Sequence, residues 1–147
     1  MGHNPVITAV TDMASSPEEV WKVLTDFAGY AQWHPSLSFV DVPTEVLPGT
    51  KLRAHLSNGS DIDGEYDFTV LDYEAPRRLA WEGGIPDVLT GQHSFALEPH
   101  DGGTRLTESE KFTGPAAEET IEAARSQIED DYASYGRALK EQLLSGR

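Results

Sequence analysis

The 147-residue sequence contains no cysteine. That excludes disulfides, thiolate nucleophiles and cysteine-held zinc. Basic residues are scarce: 11 Lys and Arg stand against 25 Asp and Glu, a formal net charge of −14. Phosphate backbones and anionic bilayers are bound through basic patches, so neither nucleic acid nor stable membrane insertion is expected of this chain. No apolar run approaches membrane-spanning length. The start of the sequence has no basic region followed by an apolar one, and Val6 stands where a myristoylation signal beginning Met1-Gly2 needs Ser or Thr. A cytoplasmic location is therefore expected. The five histidines show no metal-ligand spacing, no glycine-rich phosphate loop precedes a helix, and no serine sits in a nucleophile elbow. Neither metal nor cofactor is expected. Asn58-Gly59-Ser60 is formally a glycosylation sequon and reads instead as a turn.

What is present is the composition of one ordinary globular domain, read over residues 1–147, as a monomer or homodimer. Its apolar fraction of 38%, taken with 13 glycines, argues against disorder despite the charge. Val6 to Met13 alternates as a first strand. Ser16-Pro17-Glu18-Glu19 starts a helix: Ser16 caps, Pro17 fits the first turn and Glu19 completes a capping box. Val20, Val23, Leu24 and Phe27 form its apolar stripe, Gly29 is expected to end it, and Tyr30 to His34 reads as a short second helix or turn. Six β-like segments follow: Leu37–Val42, Thr50–Ser57, Glu65–Glu74, Arg78–Glu82, Gly91–Pro99 and Thr104–Phe112. Gly83-Gly84 and Asp101-Gly102-Gly103 are read as two of the turns between them; Asp-Gly between alternating runs is a strong hairpin signal. A long helix is expected from Pro115 to about Leu144. Its stripe of Ala117, Ile121, Ala124, Ile128, Tyr132, Tyr135, Leu139 and Leu143 recurs at three- and four-residue steps. Gly136, costly in a helix interior, suggests close approach to the sheet or a widened cavity. One long amphipathic helix must bury its stripe against the sheet, leaving either a solid core or a cavity between them.

Five segments, in this order and spacing, resemble the START/SRPBCC helix-grip superfamily, in its polyketide cyclase/dehydrase-like branch. They are Ser16 to Phe27, Tyr30 to Pro35, Leu47-Pro48-Gly49-Thr50, Pro76 to Trp81 and Gly102 to Thr107. The resemblance covers about Val6 to Leu144. It implies an α+β helix-grip fold: a curved seven-stranded antiparallel sheet wrapped around the long C-terminal helix, with two short helices after strand 1. It also implies a deep, largely apolar pocket between helix and sheet. The superfamily includes lipid carriers, metabolite binders and polyketide cyclases, so the fold does not decide the occupant.

Strand parity identifies candidate lining residues. His93, Phe95 and Leu97 share one face of their strand, and Leu106, Glu108, Glu110 and Phe112 share one face of the next. Leu79 and Trp81, then Tyr66, Phe68 and Val70, then Leu52, Ala54 and Leu56 also point inward, leaving Arg53 and His55 outward. The Asp101-Gly102 hairpin brings His93 near Glu108 and Glu110, with the register open by a residue or two. A buried carboxylate beside an imidazole can act as acid and base or fix a ligand hydroxyl or carbonyl; a packed histidine and two solvated rim glutamates are the plainer reading. Trp33 and His34 stand where this fold places a flap over the cavity mouth, although Trp33 has the stronger ground as packing beneath the first helix. Trp81, Tyr66, Phe68 and Phe95 fit a pocket wall or a plain core. Tyr132 and Tyr135, with Gln127 and Asp131 near the stripe's edge, could orient a ligand's polar group or pack on the sheet.

Two functions follow as expectations. The first is binding of a hydrophobic or aromatic small molecule of lipid, polyketide or isoprenoid type. The second is a cofactor-independent enzyme of the polyketide cyclase/dehydratase kind, with His93, Glu108 and Glu110 as its acid/base candidates. A third, docking of a basic partner on an acidic face, rests on charge alone.

Overall fold

The structure, a computed structural model, describes residues 4–57, 59 and 63–145. Strand β1 is Val6–Met13, and helix α1, Pro17–Leu24, follows with its capping box formed: Ser16 Oγ accepts from the Glu19 amide at 3.2 Å and Glu19 Oε1 from the Ser16 amide at 3.0 Å. α1 does not run to Gly29. It stops at Leu24 because both the amide and the hydroxyl of Thr25 donate to the Trp21 carbonyl, after which Asp26 leaves the helical region with ψ 76°. A 3-10 helix, Phe27–Gln32, takes over, so Phe27 belongs to the second short helix. The buried Tyr30 hydroxyl donates to the Leu24 carbonyl, one of the unpaired acceptors at the end of α1.

Six further strands follow: β2 Leu37–Val40, β3 Lys51–Leu56, β4 Gly64–Glu74, β5 Arg78–Ile85, β6 Leu89–His100 and β7 Gly103–Thr113. They form one antiparallel sheet in the order β1-β7-β6-β5-β4-β3-β2, and the chain closes with α2, Ala117–Ser145. The sheet is curved around this helix, as the helix-grip expectation requires. Of the Asn58-Gly59-Ser60 turn, Asn58 and Ser60 lie outside the described residues.

One expected turn is corrected. Gly83-Gly84 is part of β5, where Gly83 pairs with Gly91, Gly84 with Thr90 and Ile85 with Leu89. The chain reverses two residues later, at Pro86-Asp87-Val88, with Asp87 in the left-handed region at φ 63°. Glycine is kept in this ladder by crowding, since a Cβ at Gly83 would overlap the Phe68 ring. The Asp101-Gly102 turn holds, both residues taking positive φ (49° and 81°), as a two-residue hairpin of this hand requires. It sets the β6–β7 register from His100↔Gly103, seven residues back to His93 on one strand and seven on to Glu110 on the other.

α2 lies over β1 and β7 at one edge of the sheet and meets α1. Toward its C-terminal end, Leu139 and Leu143 enter the main core with Val20, Leu24, Leu79, Leu97 and Leu106. Gly136 is there for close approach: a Cβ at this position would overlap the Thr11 side chain of β1. Toward its N-terminal end, Ile121 and Tyr132 pack with Ile7 and half-buried Ala9, Leu89, Ile128 and Phe112. Strands β3 to β6 curve away from this half of the helix, and the space left is not filled by side chains.

Candidate functional site

That space is a cavity of about 520 Å³, within the usual range for small-molecule sites. Buried Trp81, Phe95, His93 and Glu108 form its inner wall, and exposed Ile85, Thr120 and Gln127 mark its opening. Among the described residues no helix is long and apolar enough to cross a membrane, and no group of three or more His, Asp or Glu is arranged to hold a metal ion.

The inner wall is aromatic and locked by ring contacts. Phe68 stacks on Trp81 at 5.7 Å and 7°, Trp81 meets Phe95 at 5.1 Å, and Phe95 stacks on His93 at 4.7 Å. His93 is the polar centre of this wall and is 9% exposed; Glu108, beside it, is 3% exposed. His93 Nε2 lies 2.6 Å from Glu108 Oε2 and His93 Nδ1 lies 3.2 Å from Glu110 Oε1. The register explains both contacts: Glu110 is directly opposite His93, and Glu108, opposite Phe95, reaches it diagonally. Tyr132 on α2 completes the cluster by donating its hydroxyl to Glu110 Oε1. Gly91 gives Glu110 its place, because a Cβ there would overlap the carboxylate.

Charge in this cluster follows from the competition between burial and partners. Burial alone would lower the His93 pKa. Hydrogen bonds to Glu108 and Glu110, together with their charges, overcome it and raise the value to about 10. His93 is thus an imidazolium held between two acceptors, with the faces of Phe95, Trp81 and Tyr132 within cation–π range. Burial, followed by the charges of Glu110 and Glu108, pushes the Tyr132 hydroxyl well above its ordinary value, so it stays a proton donor.

A second polar group sits where the 3-10 helix runs into β2. His34 Nδ1 accepts the amides of Ser36 (3.2 Å) and Leu37 (3.0 Å), and Ser36 Oγ donates to the Tyr135 hydroxyl oxygen at 2.9 Å. The His34 and Tyr135 rings are 4.3 Å apart. Burial, and then the positive charge of His93, lower the His34 pKa to about 3. The two histidines of this cavity therefore hold opposite charge states at neutral pH.

The structure brings His34, Tyr66, Phe68, Trp81, His93, Phe95, Glu108, Glu110, Tyr132 and Tyr135 to the cavity. It does not bring Trp33. That ring packs 4.8 Å from Tyr30 and 5.4 Å from His34, against the core beneath α1, because the 3-10 helix turns it away from the opening. Gln127 and Asp131 do line the cavity and are joined by a 3.0 Å hydrogen bond. Ser36 and the β5–β6 hairpin (Gly83, Gly84, Ile85, Leu89, Thr90 and Gly91) line it too and were not singled out from sequence. Two glycines inside strand-like runs were the available signal for the hairpin.

A family model described as polyketide cyclase / dehydrase and lipid transport matches residues 5–143. The chain belongs to this family. No curated protein sequence matches it. Solved structures agree on the fold of this family member. Ara h 8.0201 superposes with a TM-score of 0.76 at 14% identity, over 97% of this chain and 99% of its own. Protein MLL2253 from Mesorhizobium loti gives 0.68 at 20% identity, over 96% and 97%. DynU16, from the dynemicin biosynthetic locus, gives 0.72 at 21% identity over 97% of this chain; the match spans 48% of DynU16.

Proposed function

We propose that this protein binds a hydrophobic or aromatic small molecule, of lipid, polyketide or isoprenoid type, between α2 and the sheet. The observation that carries this reading is the 520 Å³ cavity itself, aromatic along its inner wall and open at one end. A packed α+β interior leaves few voids larger than a water molecule, so space of this size within a formed core supports a ligand site. On this reading the chain acts as one domain in the cytoplasm, as a monomer or homodimer, with a small molecule and not nucleic acid as its partner. The family to which it belongs supports the same class.

Native mass spectrometry of the purified protein, followed by calorimetric titration with hydrophobic aromatic probes, tests the proposal. A displaceable apolar adduct, or micromolar binding weakened at least tenfold in a Phe95→Trp variant that fills the cavity, is expected. Absence of both an adduct and binding of any probe would sink it.

The ion-bonded cluster favours a second reading, a cofactor-independent polyketide cyclase or dehydratase. An imidazolium with a pKa near 10 gives up its proton reluctantly at neutral pH. In such an enzyme Glu110, one oxygen of which lies over Gly91, takes the substrate proton, while His93 stabilises negative charge that develops nearby. Turnover of a polyketide substrate that survives Glu110→Gln unchanged would remove this reading.

A further inference from the structure

Two residues that line the cavity each carry a hydrogen-bond donor with no acceptor of its own among the described residues. The first is on His34. A ring nitrogen that accepts hydrogen bonds carries no proton, and Nδ1 accepts two backbone amides, so in the neutral ring the proton is on Nε2. Those two amides also hold the ring in place. Protonating Nδ1 would break both contacts, and burial near the His93 cation opposes it, so His34 is a neutral donor across the physiological range. The second donor is Tyr135. Its oxygen already accepts the Ser36 hydroxyl, which leaves its own O–H to point elsewhere. Both residues line the cavity, with ring centroids 4.3 Å apart, one on the segment before β2 and one on α2. Unmatched donors in an apolar wall complement an acceptor on the ligand.

We infer that His34 and Tyr135 form a carbonyl-binding subsite, which takes an uncharged ketone or aldehyde oxygen of an aromatic ligand from Nε2–H and the phenol O–H. This inference rests on the cavity being a ligand site. The charge distribution selects the uncharged oxygen over a carboxylate. Among the described residues that line the cavity, Glu108, Glu110 and Asp131 stand against the cation of His93, so an anionic ligand would be repelled from it. A neutral carbonyl accepts from both donors without adding a fourth negative charge.

Isothermal titration of the whole protein with 2-acetylnaphthalene, 2-ethylnaphthalene and 2-naphthoate separates the possibilities. The ketone is expected to bind more tightly than the hydrocarbon, and the carboxylate most weakly. Tyr135→Phe removes one donor and keeps the ring; His34→Asn keeps an acceptor for the Ser36 and Leu37 amides and removes Nε2–H. Each should lower the ketone-to-hydrocarbon affinity ratio by roughly three- to tenfold, the worth of one neutral hydrogen bond. The hydrocarbon also reports that each variant is folded. An unchanged ratio in the double variant, or naphthoate binding best, overturns the subsite and leaves the cavity reading standing. Failure of all three probes to bind wild type overturns both.

Discussion

His93 shows how a single side chain takes its properties from its enclosure. Its two ring nitrogens meet two glutamates, and removing one member of such a buried ionic group strands the others. His93→Gln is expected to lower unfolding free energy by about 3–5 kcal/mol in urea titration at pH 6.5, with a loss below about 1 kcal/mol counting against the ionic assignment. pH dependence supplies a sharper check. An unfolded-chain histidine titrates near 6.5, whereas His93 keeps its proton to about 10. A raised folded value stabilises fully below pH 6.5, and the contribution falls away between 6.5 and 10. His34 has the opposite sense: depressed to about 3, it contributes fully above 6.5 and loses that contribution as pH falls toward 3. These two groups together place greatest urea resistance near pH 6.5. The gap between wild type and His93→Gln should narrow from pH 6.5 to 10, and a gap that stays constant there would mean His93 is uncharged in the fold. Glu108, Glu110 and Tyr132 face His93, so the gap reports the cluster as a unit.

At the level of elements, α2 carries two tasks along one stripe. Its C-terminal half packs through Gly136, Leu139 and Leu143, while its N-terminal half lines the cavity through Ile121, Ala124 and Ile128. Gly136 is the joint between them, since it lets the helix sit on β1. In an exposed helix, Gly to Ala gains roughly 1 kcal/mol. Here Gly136→Ala would push into Thr11 and is expected to cost about 1–3 kcal/mol, as other overpacked cores do, with partial recovery when Thr11→Ala is added. Urea denaturation of the two variants decides the sign; a stabilised Gly136→Ala would refute the close-approach account. The β5–β6 hairpin shows why the elements were not all legible. Turn chemistry and a glycine pair inside a ladder look alike in sequence, and only the overlap with Phe68 distinguishes them. The Asp101-Gly102 turn was legible because a two-residue loop leaves a single register for the strands beside it.

Over the whole molecule, net charge is −14, and the compact state gathers that charge into a small volume. Raising NaCl from about 0.02 to 0.5 M shortens the screening length several-fold and is expected to raise the melting temperature by a few degrees. The His93 cluster is buried and less screened, so the pH profile above should persist at the higher salt. Calorimetric scans at both salt concentrations check this; an unchanged or lower melting temperature would show that self-repulsion is unimportant to the fold. A cavity of about 520 Å³ has its own consequence, for a ligand that binds only the folded state stabilises it, by about 2.7 kcal/mol at a concentration one hundred times its Kd.

Periodicity, caps and turn residues by themselves determined the order of elements and the inward parity of His93, Glu108 and Glu110, and the resemblance of five segments to a known superfamily added the helix-grip class. These are local matters, decided by which side chains alternate along a strand or recur along a helix. Tertiary structure alone decided that Trp33 turns from the cavity, that Ser36 meets Tyr135 across 99 positions, and that one histidine is charged and the other neutral. Those outcomes depend on distances between segments remote in the chain and on how much water their meeting excludes. Neither quantity is carried by any stretch of residues until the sheet has curved around α2.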